Sequence, residues 1–157
     1  MNRQRGVTYL MMLVAIALIG VGLAIAGQAY SEQQRRGHEQ ELVRVGAAFI
    51  HAIETYYESS PGTEKVLPQK LDDLLMDNRF AGTRRHLRRV YVDPITGSAD
   101  WGLVRTPSGA IAGVYSLSEK PTVAKTTLTI AGQRVEFGDR YSDAKFVFVP
   151  VVVPAKR

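Results

Sequence analysis

The densest cluster of side chains able to bind a charged partner is the basic run RRHLRR, residues 84–89. Its four arginines are Arg84, Arg85, Arg88 and Arg89. A guanidinium group donates paired hydrogen bonds to phosphates and carboxylates, so the run could contact DNA, lipid headgroups or an acidic protein. A basic connector that only keeps the protein soluble has the same composition. No aromatic residue interrupts the run, which argues against a site that stacks single-stranded bases.

Acidic and imidazole side chains show no arrangement typical of catalysis. Asp72 and Asp73 are adjacent, and neighbours on a helix point in different directions, so we expect a solvated face there. The three histidines lack the spacing of metal ligands: His38, His51 and His86. The sequence has neither a glycine-rich phosphate loop nor a nucleophile elbow. We therefore predict no enzyme activity, no cofactor and no small-molecule substrate, although dispersed residues can still converge in a fold.

The segment DPITGSADWG, residues 93–102, is predicted to be a turn and loop. Gly97 can adopt a positive φ there. Asp93 and Asp100 could bind calcium, but no twelve-residue ligand pattern is present, so we predict no metal site. Trp101 is predicted to pin the loop onto a helix and not to bind a ligand.

The length and composition of the chain limit the number of domains and the kinds of site that it can contain. At 157 residues the chain suits one domain plus an anchor. A net charge of +5 is compatible with an acidic partner but small for a dedicated nucleic-acid binder. Cysteine is absent, which excludes disulfides, a thiol nucleophile and a cysteine-based zinc site.

The N-terminal segment has the length of a membrane span. No charged residue lies between Arg5 and Glu32, and a helix needs roughly 20 apolar residues to cross a bilayer core. Secretory signals have a shorter apolar core, of about 7 to 15 residues, before a small-residue cleavage site. We predict a permanent span over residues 7–29 with a cytoplasmic N-terminus. The alternative is a secreted periplasmic hydrolase released after Ala26.

Residues 30–58 continue as an amphipathic helix. Apolar residues recur at the spacing of one helix face, at Leu42, Val45, Phe49, Ile53 and Tyr56. Gly37 and Gly46 are predicted weak points, each costing about 1 kcal/mol relative to Ala. The helix should end at SSPG, residues 59–62. A single helix over both segments would be a stalk that carries a head at residues 59–157.

Later segments of the head are predicted to be strands, because β-branched residues alternate with polar ones. The predicted strands are residues 111–117, 126–130 and 134–137. The intervening AGQ is predicted to be a three-residue hairpin loop. Residues 145–154 are predicted to form a further strand, interrupted or placed at an edge by Pro150.

The order of these segments resembles that of type IV prepilins and type II secretion pseudopilins. A short basic leader ends in Arg5 and Gly6, and VTYL and an apolar helix follow directly. Three head segments are similar to the major pseudopilin, at residues 67–75, 88–104 and 113–118. The resemblance implies a leader, residues 1–6, that prepilin peptidase removes after Gly6, so that Val7 becomes a methylated N-terminus. It also implies an α+β, pilin-like fold in which a proline-led short helix precedes the Asp-Pro turn.

The resemblance implies a structural role for the chain. Such a subunit is anchored in the bacterial inner membrane, places its head in the periplasm, and assembles with other pilin-like subunits on an assembly platform. Relatives usually carry a glutamate where this chain has Met11, and a carboxylate in the membrane is kept where a neighbour offsets its cost. Met11 therefore favours a minor or tip-located subunit. Small residues four apart would allow close helix contact, Gly20 with Ala24 and Gly22 with Ala26.

Overall fold

The structure is a computed structural model that describes residues 4–123, 127–130 and 132–150. Its first element is helix α1, Gln4–Glu58. The helix begins before the predicted residue 7 and ends at the predicted residue 58. It ends there because Pro61 and Gly62 follow, and Gly62 adopts a φ of +87°. The chain divides into two compact units, Met1–Gly37 and His38–Arg157.

The first unit contains the apolar part of α1. Among the described residues, Val7–Ala24 is the one segment long and apolar enough to cross a membrane, with a mean hydropathy of 2.4. None of this segment is buried within the chain. An exposed apolar surface of this length is stable in lipid and unstable in water. The first unit is therefore compatible with a single-pass membrane anchor.

The second unit is built around the amphipathic part of α1. The five residues of the predicted stripe are all buried in one hydrophobic core: Leu42, Val45, Phe49, Ile53 and Tyr56. Three antiparallel strands contribute to this core, β1 (Gly102–Arg105), β2 (Ile111–Tyr115) and β5 (Lys145–Val147). Their order is β1-β2-β5, with Val114 opposite both Leu103 and Phe146. The α+β prediction with a small antiparallel sheet is confirmed at this level.

A separate hairpin consists of β3 (Thr127–Ile130) and β4 (Gln133–Glu136). The predicted three-residue loop is wrong, since Gln133 belongs to β4 and pairs with Ile130. Gly132, which directly precedes β4, adopts a φ of +75°, which glycine tolerates without strain. Because β4 begins at Gln133, it lies one residue earlier than the predicted strand over 134–137.

The proline-led helix is shorter than predicted. Helix α2 spans only Asp72–Leu75, and Pro68 lies outside it with its carbonyl bonded to the N–H of Ile111 at 2.7 Å. Of the two carboxylates expected on a solvated face, Asp72 is exposed and Asp73 is half-buried. Oδ2 of Asp73 accepts the backbone N–H groups of Gln69 and Lys70, both at 2.9 Å. The carboxylate therefore closes the turn before the helix.

Two predicted strands end earlier than expected. Strand β2 stops at Tyr115 and β5 stops at Val147, although the N–H of Phe148 still bonds to the carbonyl of Ala112 at 2.9 Å. The remainder of the predicted strand over 145–154 lies partly outside the described residues. After Tyr115 the chain leaves the sheet because Ser116 turns inward and bonds to a buried carboxylate.

The predicted weak point at Gly46 is a packing requirement. A Cβ added there would lie 2.2 Å from Cδ1 of the Phe146 ring, which is fully buried. Only glycine lets the β5 side chain approach the helix this closely. Gly37 differs, since a Cβ added there meets nothing within 4 Å.

Candidate functional site

The basic run forms a loop without helix or strand, and we call residues 84–89 the basic loop. Its four arginines are exposed. The two residues between the arginine pairs are not. The His86 side chain is 4% exposed and Leu87 is buried in the hydrophobic core. The loop is therefore a fixed part of the head and not a loose connector.

Beneath the loop lies a largely buried polar cluster that was not predicted from the sequence. It is formed by Asp77, Arg79 and His86, and we call it the anchor cluster. The Asp77 side chain is completely buried. Its Oδ1 accepts Nε of Arg79 at 2.8 Å, and its Oδ2 accepts Nη2 at 2.6 Å. His86 Nε2 lies 3.0 Å from the same Oδ2. A buried carboxylate needs such partners because its desolvation is costly.

These contacts shift the protonation equilibria of the cluster. Hydrogen bonding from Arg79 holds the pKa of Asp77 well below its usual range, and the contact with His86 acts in the same direction against the effect of burial. The same bond raises the pKa of Arg79. Tyr56, whose ring lies against Arg79, has its pKa raised mainly by burial. The anchor cluster therefore holds an ionised pair at neutral pH.

Arg79 connects the cluster to the end of helix α1. Its Nη2 donates to the carbonyl of Tyr56 at 2.9 Å, and its Nη1 donates to Oγ of Ser60 at 2.8 Å. The guanidinium carbon lies 3.6 Å from the centroid of the Tyr56 ring. A guanidinium at this position donates to one of the carbonyls that lose their backbone partner at a helix C-terminus, and its charge complements the helix dipole.

Thr55 of helix α1 contacts the anchor cluster, so that a hydroxyl, an imidazole and a carboxylate lie one after another in space. Oγ1 of Thr55 lies 3.2 Å from Nδ1 of His86, whose Nε2 contacts Asp77. Nucleophilic triads use the same order of groups. Here the imidazole is almost entirely covered, and the Thr55 hydroxyl is within bonding distance of the Ala52 carbonyl in its own helix, at 3.1 Å. The arrangement is suited to joining the helix end to the basic loop, because no imidazole nitrogen faces solvent.

The acidic residues of the 93–102 segment have partners within the protein, Asp93 in its own loop and at Ser116, and Asp100 in its own loop. Asp93 is fully buried, and its carboxylate accepts the N–H of Ile95 at 2.8 Å and Oγ of Ser116 at 2.6 Å. Asp100 accepts a hydrogen bond from Ser98. No group of three or more potential metal ligands occurs among the residues that the structure describes.

The predicted role of Trp101 is confirmed. Its ring lies edge-on to Phe49 of α1, with centroids 5.2 Å apart. Its Nε1 donates to the carbonyl of Tyr91 at 2.8 Å, which fixes the chain just after the basic loop. Gly97 has the predicted positive φ, at +75°.

The predicted assembly residues lie along the first unit, in α1. Gly6 and Val7 are both helical. Val7 and Met11 are exposed, as are the small residues at 20, 22, 24 and 26. A Cβ added at Gly20 or Gly22 meets nothing within 4 Å. The structure thus places the four arginines on one loop of the head and leaves the apolar segment Val7–Ala24 unburied within the chain.

Searches against family models, characterised proteins and solved structures found no match to this chain.

Proposed function

We propose that this chain is a structural subunit of a type IV pilus-like or type II secretion filament. The observation that carries the proposal is the helix of the first unit, whose apolar segment Val7–Ala24 has none of its surface buried. A surface of that kind needs lipid or other helices around it. The basic leader that precedes it, ending at Gly6, supports removal by a prepilin peptidase and methylation of Val7.

In this proposal the work is mechanical. The subunit is held in the bacterial inner membrane with a cytoplasmic N-terminus and a periplasmic head, and an assembly platform moves its helix from lipid into a filament. Gly20 and Gly22 let neighbouring helices approach closely, since neither carries a side chain. Met11 has no charge to pair with a subunit above it, which favours a minor or tip position. The chain itself catalyses no reaction and binds no cofactor or small-molecule substrate.

Site-specific photocrosslinking in intact cells tests the proposal. A photoreactive residue at Leu18, which is 67% exposed, should capture a second pilin-like chain, identified by mass spectrometry. Gly20→Leu should reduce the yield because the added side chain separates the helices, whereas Val21→Leu, a change between two large apolar residues, should not. Crosslinks to lipid alone, or equal yields for the two variants, would contradict the proposal.

A further inference from the structure

The backbone of the basic loop is held at Arg84 and between its two arginine pairs. The carbonyl of Arg84 accepts the N–H of Asp77 at 2.9 Å. The N–H groups of His86 and Leu87 both donate to the carbonyl of Leu74, at 2.9 and 2.8 Å. Because the anchor cluster and the core hold the middle of the loop, its arginines are presented from defined backbone positions. Preorganisation of this kind lowers the entropy lost when a ligand binds.

The guanidinium groups on this loop have no acidic partner in the part of the chain that the structure describes. Within residues 4–123, 127–130 and 132–150, no carboxylate forms an ion pair with any of the four. Arg84 lies over the ring of Phe80, 4.7 Å from its centroid, and Arg89 lies 5.7 Å from that of Tyr91. A ring contact uses the face of the guanidinium and leaves the N–H edge for an anion.

The surroundings of the loop favour a polyanion over an acidic protein surface. Residues 78–92 contain no Asp or Glu, and no large hydrophobic side chain is exposed within the basic loop itself; the nearest exposed ones in the sequence are Met76 and Val92, on either side of it. Protein interfaces are built around an apolar centre depleted in charge, whereas nucleic-acid interfaces are polar and strongly positive. From Arg84 to Arg89 an extended chain spans at most about 17 Å. Duplex DNA carries one charge per roughly 1.7 Å, so several phosphates fit along the loop.

We propose that the basic loop binds the phosphate backbone of double-stranded DNA without sequence preference. Duplex is favoured over single strands because the rings of Phe80 and Tyr91 already pack against guanidinium groups. This site lies in the head and does not depend on the proposed filament role. Loss of DNA binding and loss of photocrosslinking at the span are therefore separate outcomes.

Binding of a fluorescein-labelled duplex to the full chain in non-ionic detergent tests this proposal, with anisotropy measured across a salt series. Replacing Arg84, Arg85, Arg88 and Arg89 by Ala should lower the affinity at 0.1 M salt by at least about tenfold. It should also reduce the slope of log K against log salt by about 3.6, because each of four phosphate contacts contributes about 0.9.

Two further variants distinguish binding by the basic loop from an effect of net charge and from a loss of folding. A control that removes the same charge from exposed residues elsewhere, R35A/R36A/K70A/R134A, should change the slope by less than about 1. Replacing the four loop arginines by Lys should retain most of the slope, since the phosphate contacts are charge-dominated. Equal losses for the loop and control variants would overturn the proposal and indicate binding through net charge alone.

A competition experiment distinguishes DNA from an acidic polypeptide as the partner of the basic loop. Unlabelled duplex should displace the labelled duplex at least about tenfold better than poly-L-glutamate at equal charge concentration, because DNA has the higher linear charge density. Equal or better displacement by poly-L-glutamate would overturn the assignment to DNA in favour of an acidic protein partner. No measurable binding of duplex at 50 mM salt would overturn it outright.

Discussion

Replacing Gly46 by Ala should destabilise the head, although helix propensity alone predicts the opposite. In an exposed helix interior the change gains about 1 kcal/mol. At Gly46 the new Cβ would lie 2.2 Å from Cδ1 and 2.3 Å from Cε1 of Phe146. Ordinary contact begins near 3.4 Å, so the ring or the helix must move by about 1 Å. The sign of the effect therefore shows whether packing or propensity dominates at this position.

The magnitude follows from how firmly Phe146 is held. Its ring is fully buried and packs edge-on against Phe137 at 6.2 Å. Overpacking in a filled core costs about 1 to 3 kcal/mol, and this site has little room to relax, so we expect a net loss of about 2 kcal/mol. For a unit of about 120 residues this corresponds to a Tm lower by roughly 6 to 12 °C.

Thermal unfolding of the full chain in detergent, followed by fluorescence of Trp101, measures this loss. Trp101 is the only tryptophan and packs on the same helix, so its signal reports the core around Gly46. Gly37→Ala is the matched control, because nothing lies within 4 Å of its added Cβ. The control should leave Tm unchanged or raise it. A Gly46→Ala chain as stable as the wild type would refute the packing argument.

Three further predictions concern the head. Asp77→Asn should lower the free energy of unfolding by about 3 kcal/mol at pH 7, since it leaves two buried donors without a carboxylate. The pKa of Asp77 is lowered in the folded state, so its contribution is present above about pH 4 and is lost as the pH falls further. In denaturant unfolding, the free energies of unfolding of the wild type and of Asp77→Asn should therefore come closer together as the pH is lowered. Asp72→Asn, at an exposed position, is the control. A difference in free energy that does not change with pH would argue against an ionised pair. Trp101→Phe should cost about 1 kcal/mol in chemical unfolding followed by circular dichroism, because the carbonyl of Tyr91 loses its donor, and an unchanged midpoint would contradict this. Gly132→Ala should cost about 1 kcal/mol in the same assay, since its φ is positive, and a gain in stability would show that the turn had been misassigned.

The long helix was predictable because its signals are local. The apolar stripe from Leu42 to Tyr56 follows the helical period, and Pro61 marks the end of the helix. Trp101 was predictable as well, because a lone large aromatic in a turn needs a surface to cover it. The bounds of β2, β3 and β4 were predicted to within one or two residues, whereas β5 stops at Val147, before Pro150 and well short of the predicted residue 154.

The anchor cluster was not predictable, because its partners are distant in sequence. The sequence places His86 within the basic run, yet its side chain contacts Thr55, which lies 31 residues earlier in the chain. One signal was present: His86 and Leu87 interrupt the arginines, as expected for a loop with one side facing the core. The role of Gly46 was hidden for the same reason, since Phe146 lies 100 residues later.

Intact-mass analysis and N-terminal sequencing of the mature chain from native membranes test the central proposal most directly. We predict that the chain begins at Val7, carries one methyl group on its amino terminus, and remains in the membrane fraction. A soluble chain that begins at Gly27 would contradict the account, because it would lack the apolar helix on which the proposed filament role depends.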